Sequence, residues 1–375
     1  MKRKNILFIS SWFPNKTEPT AGNFVQRHAE AVSLLNDVEV LHTVGIKNQK
    51  EKFVFEDQII NDVRILIIYF KNSKFSTLNF LRRMKAYKFG FQKMTKPDLV
   101  HANVMHNPLL FVVWLKKMYN IPFIITEHWT ALQKDNLHKT PNLILKIARI
   151  IGNQAEFILP VSQNLLESLE LIGIKTKKKV ISNVVNTEVF NIKKNEISVP
   201  KFLHISNLIP RKKADRIIAV AKKLHDDGFK FTVELGGDGD FQNLQKQIEN
   251  LNAENFIETF GELSYQQVAE KMQNSSCFIL FSENETQGCV ILESFACGIP
   301  VISTAVGGVP EFLQKDFGIL IKKNNETDLY EAMKNLLENT IKIEKPEVMR
   351  NYVLSNFSRE SIAKQFDEIY TKVLQ

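Results

Sequence analysis

Two carboxylates stand eight residues apart in the stretch ENETQGCVILES, which runs from Glu283 to Ser294 and contains Glu285 and Glu293. The apolar run CFILF before it predicts a buried strand, and VILESFAC predicts the start of a helix. The pair therefore flanks a strand-to-helix turn, where α/β proteins bind ligands. Eight helical positions cover about 12 Å, whereas two carboxylates that cleave one glycosidic bond lie roughly 5 to 9.5 Å apart. The spacing thus suits the two ends of one long ligand.

Between the two acids, Gln287, Gly288 and Cys289 place backbone N–H groups at the predicted helix start. The N-terminus of a helix binds anions such as phosphate, because its first N–H groups have no partner within the helix. A sugar at Glu285, a diphosphate at the helix start and a ribose diol at Glu293 together describe a nucleotide-sugar. The alternative is one solvated acid and one structural acid.

A second strand-to-helix turn carries three consecutive cations. The stretch SNLIPRKKADRII places Arg211, Lys212 and Lys213 between a predicted strand and a predicted helix. Cations at this position can bind a diphosphate. The alternative is the solvated start of a helix.

A third turn, LGGDGD, is rich in glycine. It predicts a strand followed by a tight turn at Gly237. Asp238 and Asp240 form a D-x-D pattern, which is also found at metal sites. The flanking glycines favour a turn over a metal site, since no further carboxylate or histidine clusters with the pair in sequence.

The first half of the chain offers weaker candidates. PTAGNFVQRHAEAV runs from Gly22 into a predicted helix and could hold a phosphate or a sugar. TEHWT places Glu127 and His128 at a strand end, although a lone histidine is also common as a structural residue. HANVMH contains His101 and His106, whose spacing does not put two metal ligands on one helix face. A G-x-G-x-x-G motif is absent there, so a dinucleotide cofactor is not indicated.

Strand-length apolar runs alternate with amphipathic helical stretches along the whole chain of 375 residues. Such alternation predicts parallel sheets covered on both faces. Two series are separated by the polar stretch from Asn191 to Pro200, so we expect two α/β domains with Rossmann-like sheets facing a cleft. We place the first domain at 1–190 and the second at 191–356, with 357–375 packing back on the first.

Composition excludes several classes of protein. With 44% hydrophobic and 24% charged residues, the sequence is typical of a soluble globular protein. Its longest apolar runs are far shorter than the roughly 20 residues of a membrane-spanning helix. The start, MKRKNILFISSWFP, lacks the cleavage site of a signal peptide, so we expect a first β-strand and a cytoplasmic protein. The three cysteines follow no CxxC spacing and indicate neither disulfides nor zinc.

The positive charge is concentrated in the first half, where residues 1–190 carry 27 Lys and Arg against 15 Asp and Glu. Between Val63 and Pro97 there is no acidic residue. At helical spacing, one face there carries four cations around Phe89, namely Arg82, Lys85, Lys93 and Lys96. We expect this face to contact an anionic membrane surface, so that the protein could be peripheral at the inner face of the plasma membrane. The alternative is a solvated helix face. No nucleic-acid module is present, and nucleic acid is not expected as a partner.

Several motifs taken together resemble the retaining glycosyltransferases of family 4, which have the GT-B fold. The motifs are NETQGCVILESFACGIPVISTAVGGVPEF, VISNVVNTEVF, SNLIPRKKA, LGGDGDF and FGELSYQQVAEKMQNSSCFILFSENE. The first half matches more loosely, through SSWFP, GNFVQRHAEA and TEHW. The resemblance implies transfer of a sugar from a UDP- or GDP-sugar to a glycan or lipid-linked acceptor in cell-surface polysaccharide synthesis, with no cofactor and no metal.

The resemblance also implies residue roles. Glu285 would contact the donor sugar, Lys212 the diphosphate, and His128 the transferred sugar; these three are the implied catalytic residues. The implied donor-binding residues are Gly22, Asn207, Arg211, Lys212, Gly237, Gln287, Gly288, Cys289 and Glu293.

Two departures from the family pattern bear on function. Asn207 stands where the family commonly has an arginine, and Thr286-Gln287 replaces the usual Gly-Phe after the first acid. A catalytically weak or dead subunit that binds nucleotide-sugar within a glycosylation complex is therefore one alternative. A sugar-nucleotide epimerase of the same fold is another. A phosphorylase would need a cofactor-binding lysine, and the motifs identify none.

Overall fold

The computed structural model describes residues 3–193 and 198–375 and divides into two compact units. The first unit comprises the chain up to Val184 together with Arg359–Gln375, and the second is Val185–Ser358. The sequence-based boundaries, after residues 190 and 356, differ from these. Part of the polar stretch from Asn191 to Pro200, residues 194–197, lies outside the described residues.

In the described part of the chain, thirteen strands form two sheets, one in each unit. The strands of the first unit are β1 (Asn5–Ser10), β2 (Asp37–Ile46), β3 (Phe53–Ile60), β4 (Val63–Lys71), β5 (Leu99–Asn103), β6 (Phe123–Glu127) and β7 (Phe157–Pro160). Those of the second are β8 (Lys201–Ile205), β9 (Thr232–Gly236), β10 (Ile257–Phe260), β11 (Cys277–Leu280), β12 (Val301–Thr304) and β13 (Gly318–Ile321).

Helices connect most consecutive strands. In chain order they are α1 (Asn23–Val32), α2 (Ser76–Phe91), α3 (Leu110–Tyr119), α4 (Asn142–Gly152), α5 (Gln163–Leu171), α6 (Ala214–Asp226), α7 (Gln242–Asn250), α8 (Tyr265–Gln273), α9 (Cys289–Ala296), α10 (Val309–Phe312), α11 (Glu326–Leu337), α12 (Pro346–Phe357) and α13 (Arg359–Leu374).

The strand orders are β3-β4-β2-β1-β5-β6-β7 and β10-β9-β8-β11-β12-β13. All pairings except β3 with β4 are parallel. Central strands such as β5, β6 and β11 are buried along their whole length, which explains their continuous apolar runs. In each sheet the order reverses beside the first strand, between β1 and β5 and between β8 and β11. Open α/β sheets bind ligands at such reversals, beyond the carboxyl ends of the strands.

The first sheet departs from the predicted alternation at one hairpin. Strand β3 is antiparallel to β4, and Asn61 and Asp62 connect them with φ values of 48° and 64°. Positive φ at both central residues is typical of the two-residue turn that suits the twist of a hairpin. Asn and Asp tolerate this conformation, so Asn-Asp was the sequence signal for β3.

The apolar run KVISNVV, residues 179–185, has the composition of a strand, but the structure has no regular strand there. The segment follows β7, because the backbone N–H groups of Lys179 and Ile181 donate to the carbonyls of Ile158 and Pro160, each at 3.2 Å. Its apolar residues Ile181 and Val184 instead fill the core beside β1 and α13. Burial of a non-repeating segment therefore produced the apolar run.

The last two helices belong to different units. Helix α12 packs on α9 in the second unit, and α13 packs on α1 in the first. Ile362, Phe366 and Tyr370 of α13 are completely buried and complete the core around α1. None of the helices among the described residues is both long and apolar enough to cross a bilayer.

Several histidines are buried in an uncharged state. Burial lowers the pKa of His28, His42 and His204 to about 4. The unfolded chain binds a proton at these residues below a pKa of about 6.5, whereas the native chain does so only near pH 4. Folding stability contributed by the three side chains is therefore complete above pH 6.5 and is lost as the pH falls towards 4.

We expect the free energy of unfolding to fall by about 2 kcal/mol for each of these histidines between pH 7 and pH 5. Urea unfolding at both pH values measures the change. His28→Gln should make the pH dependence shallower, while His138→Gln, at an exposed position, should leave it as in the wild type. An equal slope in the His28 variant would contradict the prediction.

Candidate active site

The turns after β8 and β11 meet at the carboxyl edge of the second sheet. The backbone N–H of Glu283 donates to the carbonyl of Arg211 at 2.8 Å, and Lys213 Nζ lies 2.9 Å from Glu283 Oε1. These contacts join the acidic and basic stretches that the sequence suggested as two ligand-binding turns. They lie at the strand-order reversal, where a ligand is expected.

Lys212 and Glu285 form an ion pair in this place, with Lys212 Nζ 2.5 Å from Glu285 Oε1. Only 14% of the lysine side chain and 12% of the glutamate side chain are exposed. A largely buried charge is costly unless it is paired. The pair therefore holds a cation and a carboxylate ready at the end of the sheet, 73 residues apart in the chain.

Helix α9 begins directly after this pair. Gly288 precedes it with φ 78° and ψ 63°, a left-handed conformation that favours glycine. Gln287 is buried, whereas Cys289 is only half-buried. The first turn of α9 directs its N–H groups toward the edge of the sheet, which makes it suitable for an anion.

Glu293 lies one turn further along α9 and is 5% exposed. Its Oε1 accepts a hydrogen bond from the hydroxyl of Tyr265, at 3.4 Å. Tyr265 was missed in the sequence because it opens a different helix, α8, and no motif connects the two. The structure thus places Glu285 before α9 and Glu293 within it, as the spacing predicted.

Two glycines let the turn after β9 lie against the turn after β8. Gly237 has φ 132°, and a Cβ there would lie 2.0 Å from the carbonyl oxygen of Ser206. At Gly239 a Cβ would lie 2.7 Å from the carbonyl oxygen of Asn207. Asp240 accepts hydrogen bonds from the Gln242 N–H and the Asn243 side chain at the start of α7. Asp240 therefore serves the turn, and no cluster of three metal-ligating side chains occurs in the described part of the chain.

The turn after β8 is strained and polar. Leu208 has φ 46°, which is unusual for a residue other than glycine and often marks a functional turn. Asn207 beside it is exposed. The Nε of Arg211 is buried and, within the described residues, has no hydrogen-bond partner. A buried donor without an acceptor is unfavourable, so this guanidinium is prepared for an anionic ligand.

In the first unit, Gly22 precedes α1 with φ 70°. A Cβ at this position would lie 2.6 Å from the carbonyl carbon and oxygen of Trp12. Only glycine fits, because the start of α1 lies directly on the turn after β1. The structure thus has the turn from Gly22 into a helix that the sequence predicted.

His128 lies at the end of β6 and is 7% exposed. Its ring centroid is 4.2 Å from that of Phe24 and 5.4 Å from that of His28. Burial, together with the nearby His28 and His101, lowers the pKa of His128 well below its usual value. At neutral pH the ring is therefore uncharged and able to exchange hydrogen bonds with a polar ligand.

The neighbouring Glu127 is completely buried. Its carboxylate accepts backbone N–H groups from Met105, His128 and Trp129 at 2.7 to 2.8 Å. Burial nevertheless raises the pKa of Glu127 to about 7. This carboxylate positions the turns after β5 and β6.

The other histidines noted in the sequence are separated by the structure. His101 is a structural residue, since its Nδ1 lies 2.7 Å from the Tyr370 hydroxyl and its Nε2 lies 2.6 Å from Thr126 Oγ1. His106 instead packs edge-to-face on Trp129, with ring centroids 5.3 Å apart.

Comparisons with known proteins agree with this architecture. A family model described as glycosyl transferases group 1 matches residues 186–354, and one described as glycosyltransferase family 4 matches residues 22–189. Together they cover most of the chain, including every strand described above except β1. The chain belongs to the group 1 glycosyltransferases and has the GT-B fold, as the motifs predicted.

Individual relatives extend the likeness over nearly the whole length. An uncharacterized glycosyltransferase of Methanocaldococcus jannaschii is 29% identical over 347 residues, 89% of this chain and 90% of the relative. The N-acetyl-alpha-D-glucosaminyl L-malate synthase of Bacillus anthracis is 27% identical over 292 residues, 74% of this chain and 75% of the relative. The crystal structure of Anabaena HepE in complex with UDP and glucose superposes with a TM-score of 0.77 at 20% identity, covering 99% of this chain and 100% of that one.

Proposed function

We propose that the protein is a retaining hexosyltransferase that moves a sugar from a UDP- or GDP-sugar to a glycan or lipid-linked acceptor in cell-surface polysaccharide synthesis. The observation that carries the proposal is the Lys212–Glu285 pair at the start of α9, with Glu293 one turn beyond. The solved structure of Anabaena HepE, which contains UDP and glucose, supports a nucleotide-sugar donor for this fold.

The donor would lie along α9. The diphosphate would be bound by Lys212, by Arg211 and by the N–H groups of Gln287, Gly288 and Cys289, which together supply positive charge without a metal. The ribose diol would bind Glu293. The turn at Gly237, together with Asn207 in the neighbouring turn, would form the other wall of this donor site.

The chemistry requires stabilisation of a leaving nucleoside diphosphate, whose negative charge grows as the glycosidic bond breaks. Lys212 and the α9 start would stabilise that charge, and fixed positive groups of this kind are effective catalysts because they need no rearrangement. Glu285 would bind hydroxyls of the donor sugar. Its contact with Lys212 would orient both side chains before the donor arrives.

For the first unit we propose acceptor binding. Gly22 would allow a close approach to the sugar and diphosphate, and the uncharged ring of His128 would hydrogen-bond the transferred sugar. A neutral imidazole can act as donor or acceptor there, depending on its tautomer. Glu127 would keep His128 in place through the backbone.

One observation favours an alternative, a weak or inactive subunit that binds the donor only. Asn207 supplies no positive charge where the family commonly has an arginine. The buried Nε of Arg211 offers a replacement only four residues further on. Turnover of a nucleotide-sugar by the purified protein separates an enzyme from a binding subunit.

For donor binding, we expect a thermal-shift screen of UDP-, GDP- and ADP-sugars to identify the nucleotide. A ligand at 100 times its dissociation constant should stabilise the protein by about 2.7 kcal/mol. Glu293→Gln should weaken binding of the free nucleotide about 10- to 100-fold, because a hydrogen bond to a charged group contributes roughly 1.5 to 3 kcal/mol. Unchanged affinity in that variant would remove the ribose assignment.

For catalysis, we expect Lys212→Ala and Glu285→Gln to lower kcat by at least about 10-fold. Because each change leaves one charge of a largely buried pair without its partner, it also lowers the melting temperature, so kcat is measured well below the melting temperature of each variant. Lys222→Ala is the matched control, since Lys222 forms an exposed ion pair with Asp226 on α6. Rates near wild type in both active-site variants, with donor and acceptor identified, would exclude this active site.

The proposed membrane surface lies on α2, and the apolar residues exposed there differ from the one expected from the sequence. Phe89 is half-buried and packs edge-to-face on Phe53, with ring centroids 5.4 Å apart, while Lys85 Nζ lies 5.4 Å from the centroid of the Phe89 ring. The exposed apolar residues are instead Phe75, Leu78 and Leu81, of which Phe75 is 70% and Leu81 63% exposed.

These apolar side chains share the exposed face of α2 with Lys85. Arg82 on the same face is half-buried and donates to the carbonyl of Lys71 at 2.6 Å. Exposed apolar side chains next to cations are typical of helices that lie at a lipid headgroup layer. We therefore propose that Phe75, Leu78 and Leu81, together with the neighbouring cations of α2, form the membrane surface.

We expect the protein to sediment with phosphatidylglycerol vesicles at low salt and less at high salt, since each cation near an anionic surface contributes about 1 kcal/mol. Replacing Leu78 and Leu81 by Ser, or Arg82, Lys85 and Lys93 by Glu, should abolish sedimentation. The control is charge reversal of three exposed lysines of the second unit, Lys315, Lys322 and Lys323. Absence of binding by the wild type at low salt would favour a soluble acceptor.

A further inference from the structure

The first sheet has its own strand-order reversal, between β1 and β5. The residues beyond the ends of β1, β5 and β6 include Trp12, His106 and Trp129, all half-buried. The rings of Trp12 and Trp129 meet edge-to-face, with centroids 5.9 Å apart, and His106 packs on Trp129. This group of three rings is called the aromatic edge below.

Arg83 of α2 lies near the same end of the sheet. Its guanidinium is 5.5 Å from the centroid of the Phe70 ring, which is next to the end of β4. Its positive charge helps to lower the pKa of both His42 and His106. His42 Nδ1 and the Tyr87 hydroxyl both contact the carbonyl of Ser10, the last residue of β1. Arg83 therefore acts electrostatically on His42 within β2 and on His106 beyond β5.

The charge of Arg83 is not neutralised by the protein. The side chain is half-buried, its Nε is buried without a hydrogen-bond partner, and it forms no ion pair within residues 3–193 and 198–375. Two acids of this region are already engaged. Glu127 accepts three backbone N–H groups, and Glu56 accepts the Tyr69 hydroxyl at 2.7 Å. An unpaired and partly desolvated guanidinium is unfavourable unless a ligand supplies the anion.

We propose that the aromatic edge and Arg83 bind the acceptor, and that the acceptor carries an anionic group, a carboxylate or a phosphate, which Arg83 binds. The inference rests on the proposed glycosyltransferase function, which it deepens by naming the chemical class of the acceptor. Trp12 and Trp129 offer flat apolar surface for a sugar ring. Arg83 offers a planar fork of donors that matches both carboxylate and phosphate geometry.

The position of Arg83 on α2 explains why the sequence did not reveal it. The sequence does not distinguish the neighbouring cations Arg82, Arg83 and Lys85 by type. Only the helical periodicity assigns them to different faces of α2. Arg82 and Lys85 lie on the exposed face, whereas Arg83 lies between that face and the core. The exposed face of α2 is thus proposed to contact the membrane, and the side that carries Arg83 is proposed to bind the acceptor.

Tryptophan fluorescence provides the test, because the chain has three tryptophans and two of them belong to the aromatic edge. Trp114→Phe removes the third. In this background the protein is titrated with methyl β-D-glucuronide, with glucose 1-phosphate and with the neutral methyl β-D-glucoside. We expect at least one charged sugar to bind more tightly than the neutral one, and the better of the two identifies carboxylate or phosphate.

Arg83→Gln should weaken binding of the preferred charged sugar about 10- to 100-fold and leave that of the neutral sugar unchanged, since a hydrogen bond to a charged group is lost. Arg83→Lys should restore only part of the affinity, because an ammonium lacks the planar fork. Arg149→Gln, at an exposed position on α4, is the matched control and should behave as the wild type. Circular dichroism confirms that the variants fold.

A charged sugar that binds no more tightly than its neutral analogue overturns the inference, as does equal affinity in Arg83→Gln and the wild type. Binding of UDP and of GDP, measured separately by calorimetry, reports on the second unit. Normal binding of either nucleotide without discrimination between the sugars would leave the proposed function intact and remove only the anionic acceptor. Loss of both would remove the proposed function as well.

Discussion

A charged side chain within a parallel sheet that is buried on both faces needs a partner of opposite charge, and the sites of this structure follow from that constraint. Within β9, Glu234 is paired with both Lys201 and Lys271, whereas other ionised groups gather at the turns, where the carboxyl ends of parallel strands lie at one edge. The second sheet concentrates Arg211, Lys212, Glu283 and Glu285 there. The first places Glu127 and His128 at the corresponding edge.

The two edges solve the problem of buried charge in different ways. In the second unit a cation and a carboxylate neutralise each other directly, in Lys212 and Glu285. In the first unit, Glu127 is stabilised by three backbone N–H groups, and the histidines remain uncharged. The edge of the second sheet is therefore set by paired charges and that of the first sheet by neutral polar groups, with Arg83 as the exception, since its charge has no acidic partner among the described residues.

The sequence predicted the parts of the molecule in which one local pattern determines the structure. The strand, turn and helix around Glu285 and Glu293 were found because a buried strand must be apolar throughout and a helix must then begin. Tyr265, Trp12 and Arg83 were not found, since each meets its neighbours only through folding of distant segments. Phe89 lies beside Lys85 as the periodicity of α2 predicted, but its packing on Phe53 of β3 could not be seen from that periodicity.

The apolar segment at residues 179–185 shows a second limit, since an apolar run does not by itself identify a strand. Its side chains Ile181 and Val184 fill a core, and its backbone makes two hydrogen bonds to β7, yet it does not form the regular ladder of a strand. Periodicity reports burial, and burial alone does not distinguish a strand from a packed connection.

Helix α13 has a consequence for the synthesis of the protein. The core of the first unit needs Ile362, Phe366 and Tyr370, which the ribosome adds only after the whole second unit. Although N-terminal domains usually fold first during translation, here the earlier-made sheet keeps part of its apolar surface uncovered until α13 has been synthesised. Removal of α13 would thus damage the unit that contains the first residues of the chain.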